Sequence, residues 1–220
     1  MNFKQAHTSN FKRGRSGAIL YVVEHYTANN GDTAKNNADY FAGTGNLSAS
    51  AHYFVDENGV WQSVKDTDTA YHCGTTGNYK HPKCRNANSI GVEMCSRKDA
   101  NGRYYIEDAT IKNAANLTKG LMKKYNIPKE NVIRHYDVTG KICPAPMVTN
   151  ESLWKEFKNM LTSKPKLESG NDIIWEIMNG KHKVKITEVK RAVTALDKAK
   201  NNPDYNSLYW ILYKLVNGNE

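Results

Sequence analysis

Apolar and polar positions along this chain alternate with a period of two in some stretches and of three to four in others, and the switches mark strands and helices. Residues 18–23 are a continuous apolar, β-branched run, which predicts a buried central strand that delivers Glu24 and His25 at its end. Asp32 is predicted to cap a helix reaching about Gly43, with Ala34, Ala38 and Phe41 on one side. Residues 52–56 and 60–64, joined by Glu57-Asn58-Gly59, read as a β-hairpin. In the strand at 89–95, Ile90, Val92 and Met94 share one face while Gly91, Glu93 and Cys95 share the other. Asp108 is predicted to cap a helix to about Tyr125, stopped by Asn126 and Pro128. A short strand at 131–134 leads into His135, and Asn150 begins a helix through about Leu161. Residues 66–88 show little periodicity and read as a long loop, a length usually reserved for function. The pattern over residues 1–161 is α/β, a mixed β-sheet flanked by helices.

Residues 162–170 are polar and contain Pro165, as a linker does. Residues 171–220 then carry three helical patterns, at 172–179, at 187–200 and from Asn202-Pro203 onward, which predict a small all-α helical module. About fifty residues give a marginal core, so such a module leans on its neighbour or self-associates, which is compatible with a homodimer through these helices. Residues 171–177 echo 206–212, but two capped amphipathic helices with core tryptophans explain the echo more simply than a repeat.

Composition narrows the partners. The 220 residues carry a formal net charge of +9, which favours anionic surfaces. No RNP, zinc-finger or zipper pattern accompanies the charge, so no specific nucleic-acid recognition is expected, and anionic cell-wall polymers remain a candidate partner. No transmembrane segment is expected, since no run approaches 18 apolar residues, and residues 1–7 lack the apolar stretch of a signal peptide. Synthesis in the cytoplasm without a cleaved leader is the expectation. Cys73, Cys84, Cys95 and Cys143 include no C-x-x-C pair. Cys95 reads as a small buried hydrophobe, and Cys73 and Cys84 as reduced thiols, with a bridge between them as the alternative.

The chemistry gathers at residues 135–144. His135, Lys141 and Cys143, with the distant His25, offer two imidazoles, a thiolate and a nearby ammonium. Two His and one Cys can bind zinc and leave a fourth position for water, the mark of a catalytic site. Gly140 permits the reversal that would bring His135 and Cys143 to one ion, and Pro144 fixes the exit. Glu93, on a largely buried strand, must be paired with a Lys or Arg, hydrated or used.

Five separated motifs carry a family resemblance: His25-Tyr26-Thr27, Ser50-Ala51-His52-Tyr53, Ala70-Tyr71-His72-Cys73-Gly74, Asn88-Ser89-Ile90-Gly91-Val92-Glu93 and residues 134–144. In order and spacing the chain resembles the zinc N-acetylmuramoyl-L-alanine amidases, the type shared by phage endolysins, bacterial autolysins and peptidoglycan-recognition proteins, over about residues 15–162. The resemblance implies zinc ligands at His25, His135 and Cys143. It implies Glu93 as the group that shuttles a proton from water to the leaving amide nitrogen, and Lys141 as the stabiliser of the oxyanion. His72, in the long loop, is expected to contact substrate, with a purely structural histidine as the alternative. Some phage members place a tyrosine before the histidine matching His52; here that position is Ala51, and Tyr53 lies on the opposite face, so a tyrosine-assisted mechanism does not carry over.

The implied function is hydrolysis of the N-acetylmuramic acid–L-alanine amide of bacterial peptidoglycan. The absence of a leader favours a phage endolysin, cytoplasmic in the infected host until lysis, over a host autolysin. A non-catalytic wall-recognition protein is the alternative of a different class. Residues 171–220 would bind the cell wall; of Trp175, Tyr205, Tyr209, Trp210 and Tyr213 most are expected in the module's core, and any left outside it could stack on sugars.

Overall fold

The computed structural model of the protein describes residues 1–162. The chain begins with β1 (Asn2–Phe3), β2 (Phe11–Lys12), β3 (Tyr21–Tyr26) and α1 (Ala34–Gly43). It continues through β4 (Tyr53–Asp56), β5 (Gly59–Gln62), β6 (Thr69–Ala70), β7 (Ser89–Met94), β8 (Arg97–Lys98) and β9 (Tyr104–Tyr105). It ends with α2 (Asp108–Tyr125), β10 (Val132–Arg134), α3 (His135–Thr139), α4 (Ala145–Thr149) and α5 (Glu151–Thr162). The linker expected at 162–170 overlaps the last residue of α5 and otherwise, with the helical module at 171–220, lies outside the described residues.

Six strands form one mixed sheet in the order β1-β5-β4-β7-β3-β10. β3 runs parallel to β7 and β10, β4 runs parallel to β7, and β4 and β5 form the expected antiparallel hairpin. Parallel strands are covered on both faces, which is why residues 18–23 read as uninterrupted apolar sequence. The strand itself starts three residues later than expected, at Tyr21, where pairing with Ser89 begins. Glu24 and His25 therefore lie inside it rather than beyond its end.

The register sorts the side chains between the two faces. Val22, Tyr53, Val55, Ile90, Val92, Met94 and Val132 pack against α2 and α5, where Ile111, Ala114, Ala115, Leu121, Trp154, Phe157 and Leu161 complete the main core. The apolar positions of α2 recur every three or four residues, so one stripe of the helix is buried. Phe157 is fully buried and stacks on Trp154 at 5.5 Å between centroids; emptying its site would cost about 3–5 kcal/mol. By the pleat, His25, His52, Phe54, Ser89, Gly91 and Glu93 stand on the opposite face. There α1 contributes Ala34 and Ala38 to a second apolar layer with Ala51, Phe54 and Cys95. Cys95 is thus the small buried hydrophobe expected of it. Cys73 and Cys84 are buried as free thiols.

Helix ends follow local hydrogen bonding more closely than the sequence suggested. Thr33, not Asp32, caps α1, in a reciprocal box with Asn36. Asp32 instead accepts from Thr27, Asn29 and Asn37, bracing the loop before the helix. Asp108 sits inside the first turn of α2, where its charge suits the helix dipole, and Glu107 occupies the cap. α2 stops at Asn126 in the left-handed conformation, φ 52°. Residues 66–88 are mostly loop, as expected, with the short β6 paired to β2.

Candidate metal centre

The strand expected at 131–134 and a short helix that sequence periodicity did not show build the centre. β10 runs directly into α3, whose first residue is His135. The helix ends at Gly140, φ +85°, whose N–H donates to the Tyr136 carbonyl at 2.8 Å. The chain then doubles back, and the Tyr136 N–H donates to the Cys143 carbonyl at 2.9 Å. Arg134 anchors this hairpin-like turn. Its buried guanidinium bonds Asp137, Glu151 and the Met147 carbonyl and lies over Trp154. Sequence reading passed over Arg134; its one signal was an acidic partner three residues on, at Asp137.

The turn brings His135 and Cys143 to His25, with ligand atoms of all three within 4.8 Å of one another. Cys143 Sγ lies 3.6 Å from His25 Nδ1. All three side chains are buried. Both ring nitrogens of His135 are buried with no hydrogen-bond partner, an expensive state for an imidazole unless a cation fills it. Burial holds His25 well below the usual histidine range and His135 at about 4, so both rings keep free lone pairs at neutral pH. Burial pushes the Cys143 thiol up to about 12, with Glu93 adding and the Tyr26 N–H and Lys141 opposing, so it loses its proton to solvent only when a cation takes that proton's place. The three residues fit a single metal ion.

Glu93 stands beside His25 in the β3–β7 register, with Oε1 4.0 Å from His25 Nδ1. Its Oε2 is buried without a partner. Burial pushes the carboxyl up to about 8 against the Lys141 ammonium, with Asp32 and Glu24 reinforcing the rise. Among the described residues no lysine or arginine pairs with it, so the structural ion pair weighed from sequence is not formed. These groups share a cleft of about 360 Å³ whose walls include Ala51, Phe54 and Tyr71, with the exposed Lys141 and Ile142 at its rim. Tyr53 points away from it, as expected, donating to Asp66 at 2.6 Å on the other face.

His72 reaches the cleft wall from the long loop, but both its ring nitrogens are engaged inside the protein. Nδ1 is 3.1 Å from His25 Nε2, and Nε2 is 3.0 Å from Ser89 Oγ. Behind it His52 is fully buried, accepting the Gly91 N–H at Nδ1 (2.9 Å), with Asp68 O 3.3 Å and Arg15 Nη2 2.6 Å from Nε2. Burial, with His72 and Arg15 adding, holds His52 well below 6.5. Its share of stability is therefore intact above about pH 6.5 and is lost as pH falls, by at most about 1.4 kcal/mol per pH unit. His52→Gln is expected to flatten the fall in stability between pH 7 and 5, measured by urea unfolding. An unchanged fall would show that the ring is not held neutral.

Among the described residues, the fold and donor set define a mixed-sheet α/β domain with a buried His/His/Cys centre at a cleft that also holds the Glu93 carboxyl. Residues 15–146 match the N-acetylmuramoyl-L-alanine amidase family, and the chain belongs to that family. It is 39% identical over 150 residues to the N-acetylmuramoyl-L-alanine amidase CwlL of Bacillus licheniformis, covering 64% of this chain and 40% of that protein. It is 30% identical over 180 residues to CwlA of Bacillus subtilis, covering 80% of this chain and 61% of that one. The chain thus spans less than two thirds of the length of these curated relatives. The structure of PlyL superposes with a TM-score of 0.60 at 28% identity, covering 74% of this chain and 97% of PlyL. The catalytic domain of XlyA does so with a TM-score of 0.57 at 28% identity, covering 73% and 99%.

Proposed function

We propose that this chain is a zinc amidase that cleaves the bond between N-acetylmuramic acid and L-alanine in bacterial peptidoglycan. The observation that carries the reading is Glu93, a partly buried carboxyl held at about 8 beside the His25, His135 and Cys143 donor set in one cleft. Two imidazoles and a thiolate suit zinc, which when bound supplies Lewis-acid polarisation of the amide carbonyl and activation of water. Glu93, with an affinity for protons near neutrality, takes the proton of the attacking water and passes it to the departing amide nitrogen. The C–N bond then breaks to leave a lactyl carboxylate and a free L-alanine amino group. Lys141, at the rim, offsets the negative charge that builds on the carbonyl oxygen. The buried walls at Ala51 and Phe54 limit bulk water around the reacting bond.

Mass spectrometry of purified peptidoglycan digested with and without a chelator tests the reading. Chelator-sensitive release of peptides with a new L-alanine amino terminus, glycan intact, is the expected result. New reducing sugar ends, or wall binding with no release, would overturn it.

We also read the chain as a phage endolysin, held in the cytoplasm of the infected host until lysis, with residues 171–220 serving wall binding and homodimer formation. The net charge of +9 supports attraction to anionic wall polymers. The full chain is expected to pellet with purified walls more than a chain ending at residue 162; equal pelleting would remove that role.

A further inference from the structure

We infer that His72 is a positioning residue for the metal centre: seated on Gly91 and anchored by Ser89, it decides which nitrogen of His25 carries the proton and so frees His25 Nδ1 to ligate. The inference rests on the reading that His25, His135 and Cys143 hold a metal.

Hydrogen accounting along the chain of contacts leads there. The Ser89 hydroxyl has one proton, and its shortest contact, 2.7 Å, is to the Arg85 carbonyl oxygen, which can only accept. With that proton committed, Ser89 Oγ accepts from His72 Nε2, 3.0 Å away. A ring proton on His72 Nε2 leaves its Nδ1 bare, able to accept from His25 Nε2–H at 3.1 Å. His25 then carries its proton on Nε2 and presents a lone pair at Nδ1. That atom is the one that faces Cys143 Sγ at 3.6 Å and Glu93 Oε1 at 4.0 Å. The reverse proton order would place an N–H on His25 Nδ1, among the ligand atoms, and block ligation. A fixed acceptor on the far nitrogen also orients a ligating ring and raises its basicity.

The backbone is shaped for this contact. A Cβ on Gly91 would sit 2.5 Å from His72 Cγ and 2.8 Å from its Nδ1, so only glycine lets the ring lie on strand β7. The N–H groups of His72 and Cys73 both donate to Asn86 Oδ1, at 3.1 and 2.8 Å, and hold the loop in register. The resulting rings of His25 and His72 meet edge to face at 5.2 Å. This gives the long loop a task, and it gives Ser89 and Gly91 a task within a strand where neither packs the main core.

Two measurements on the full chain test the inference. The first is Zn²⁺ affinity by competition with a chromophoric chelator; the second is the imidazole ¹⁵N NMR spectrum of the metal-free protein, which reports the tautomer of His25. His72→Phe, which removes the acceptor, is expected to weaken zinc binding about 10–100-fold. His72→Asn, whose side-chain oxygen stands near the lost Nδ1, should recover most of that affinity. Gly91→Ala should weaken binding as His72→Phe does, although it removes no polar group. In the wild-type spectrum His25 should carry its proton on Nε2. A proton on Nδ1 there, or wild-type affinity in His72→Phe, would overturn the inference. Absence of zinc binding by the wild type would overturn both this inference and the metal reading, whereas tight binding by wild type and His72→Phe alike would overturn this inference alone.

Discussion

Glu93→Gln is expected to keep the fold and the metal and to lose hydrolysis by about two to four orders of magnitude. Glutamine has nearly the size and shape of the carboxyl it replaces, so the packing around a mostly buried side chain is preserved. What disappears is the capacity to exchange a proton. In the folded protein that capacity is tuned, because burial lifts the carboxyl to about 8. A carboxyl in ordinary water would be too weak a base to take a proton from water and hold it until the amide nitrogen departs. The variant also replaces a carboxyl oxygen 4.0 Å from His25 Nδ1 by an amide, so its zinc content must be measured beside its rate. Loss of peptide release with zinc retained is the expected pair of results. A variant that cleaves within a few-fold of wild type would take Glu93 out of the mechanism.

Cys143→Ser is expected to strip the metal and the activity together. The thiol is almost fully buried and is held at about 12, so it is deprotonated only by exchange for a cation. A serine hydroxyl at the same place resists that exchange far more, and two neutral imidazoles then hold the ion without an anionic ligand. Calorimetry shows this without any substrate. Zinc at about a thousand times its dissociation constant stabilises a protein that binds it only when folded by about 4 kcal/mol, read as a rise in Tm. The wild type should show that rise, and Cys143→Ser at the same zinc concentration should show almost none. Equal rises would mean that the sulfur is not a ligand.

Much of this protein was legible from its sequence because burial imposes periods. The alternation of Ile90, Val92 and Met94 against Gly91 and Glu93 placed one set in the core and the other beside the site, as the register with β3 bears out. The three-to-four spacing in α2 marked its buried stripe for the same reason. The chemistry of the candidate ligands was legible too, since two imidazoles, a thiolate and a carboxyl have few other uses together.

Tertiary structure alone decided the rest, since it depends on contacts between residues far apart in the chain. α3 and α4 are five residues each, too short to show a period, yet α3 and the turn after it bring Cys143 back to His135. At the start of α1 the Ala34 N–H turns to the Asp56 carboxylate, 22 residues away, at 2.8 Å. His72 sits 47 residues from His25 in sequence and 3.1 Å from it in space, on a glycine whose bareness has no meaning until the ring is laid on it. Local pattern determined which residues are buried and which chemistry is on hand. Long-range packing determined which nitrogen meets which acceptor, and with it the proton affinity of every group at the site, because desolvation and hydrogen bonding exist only once the chain has folded around them.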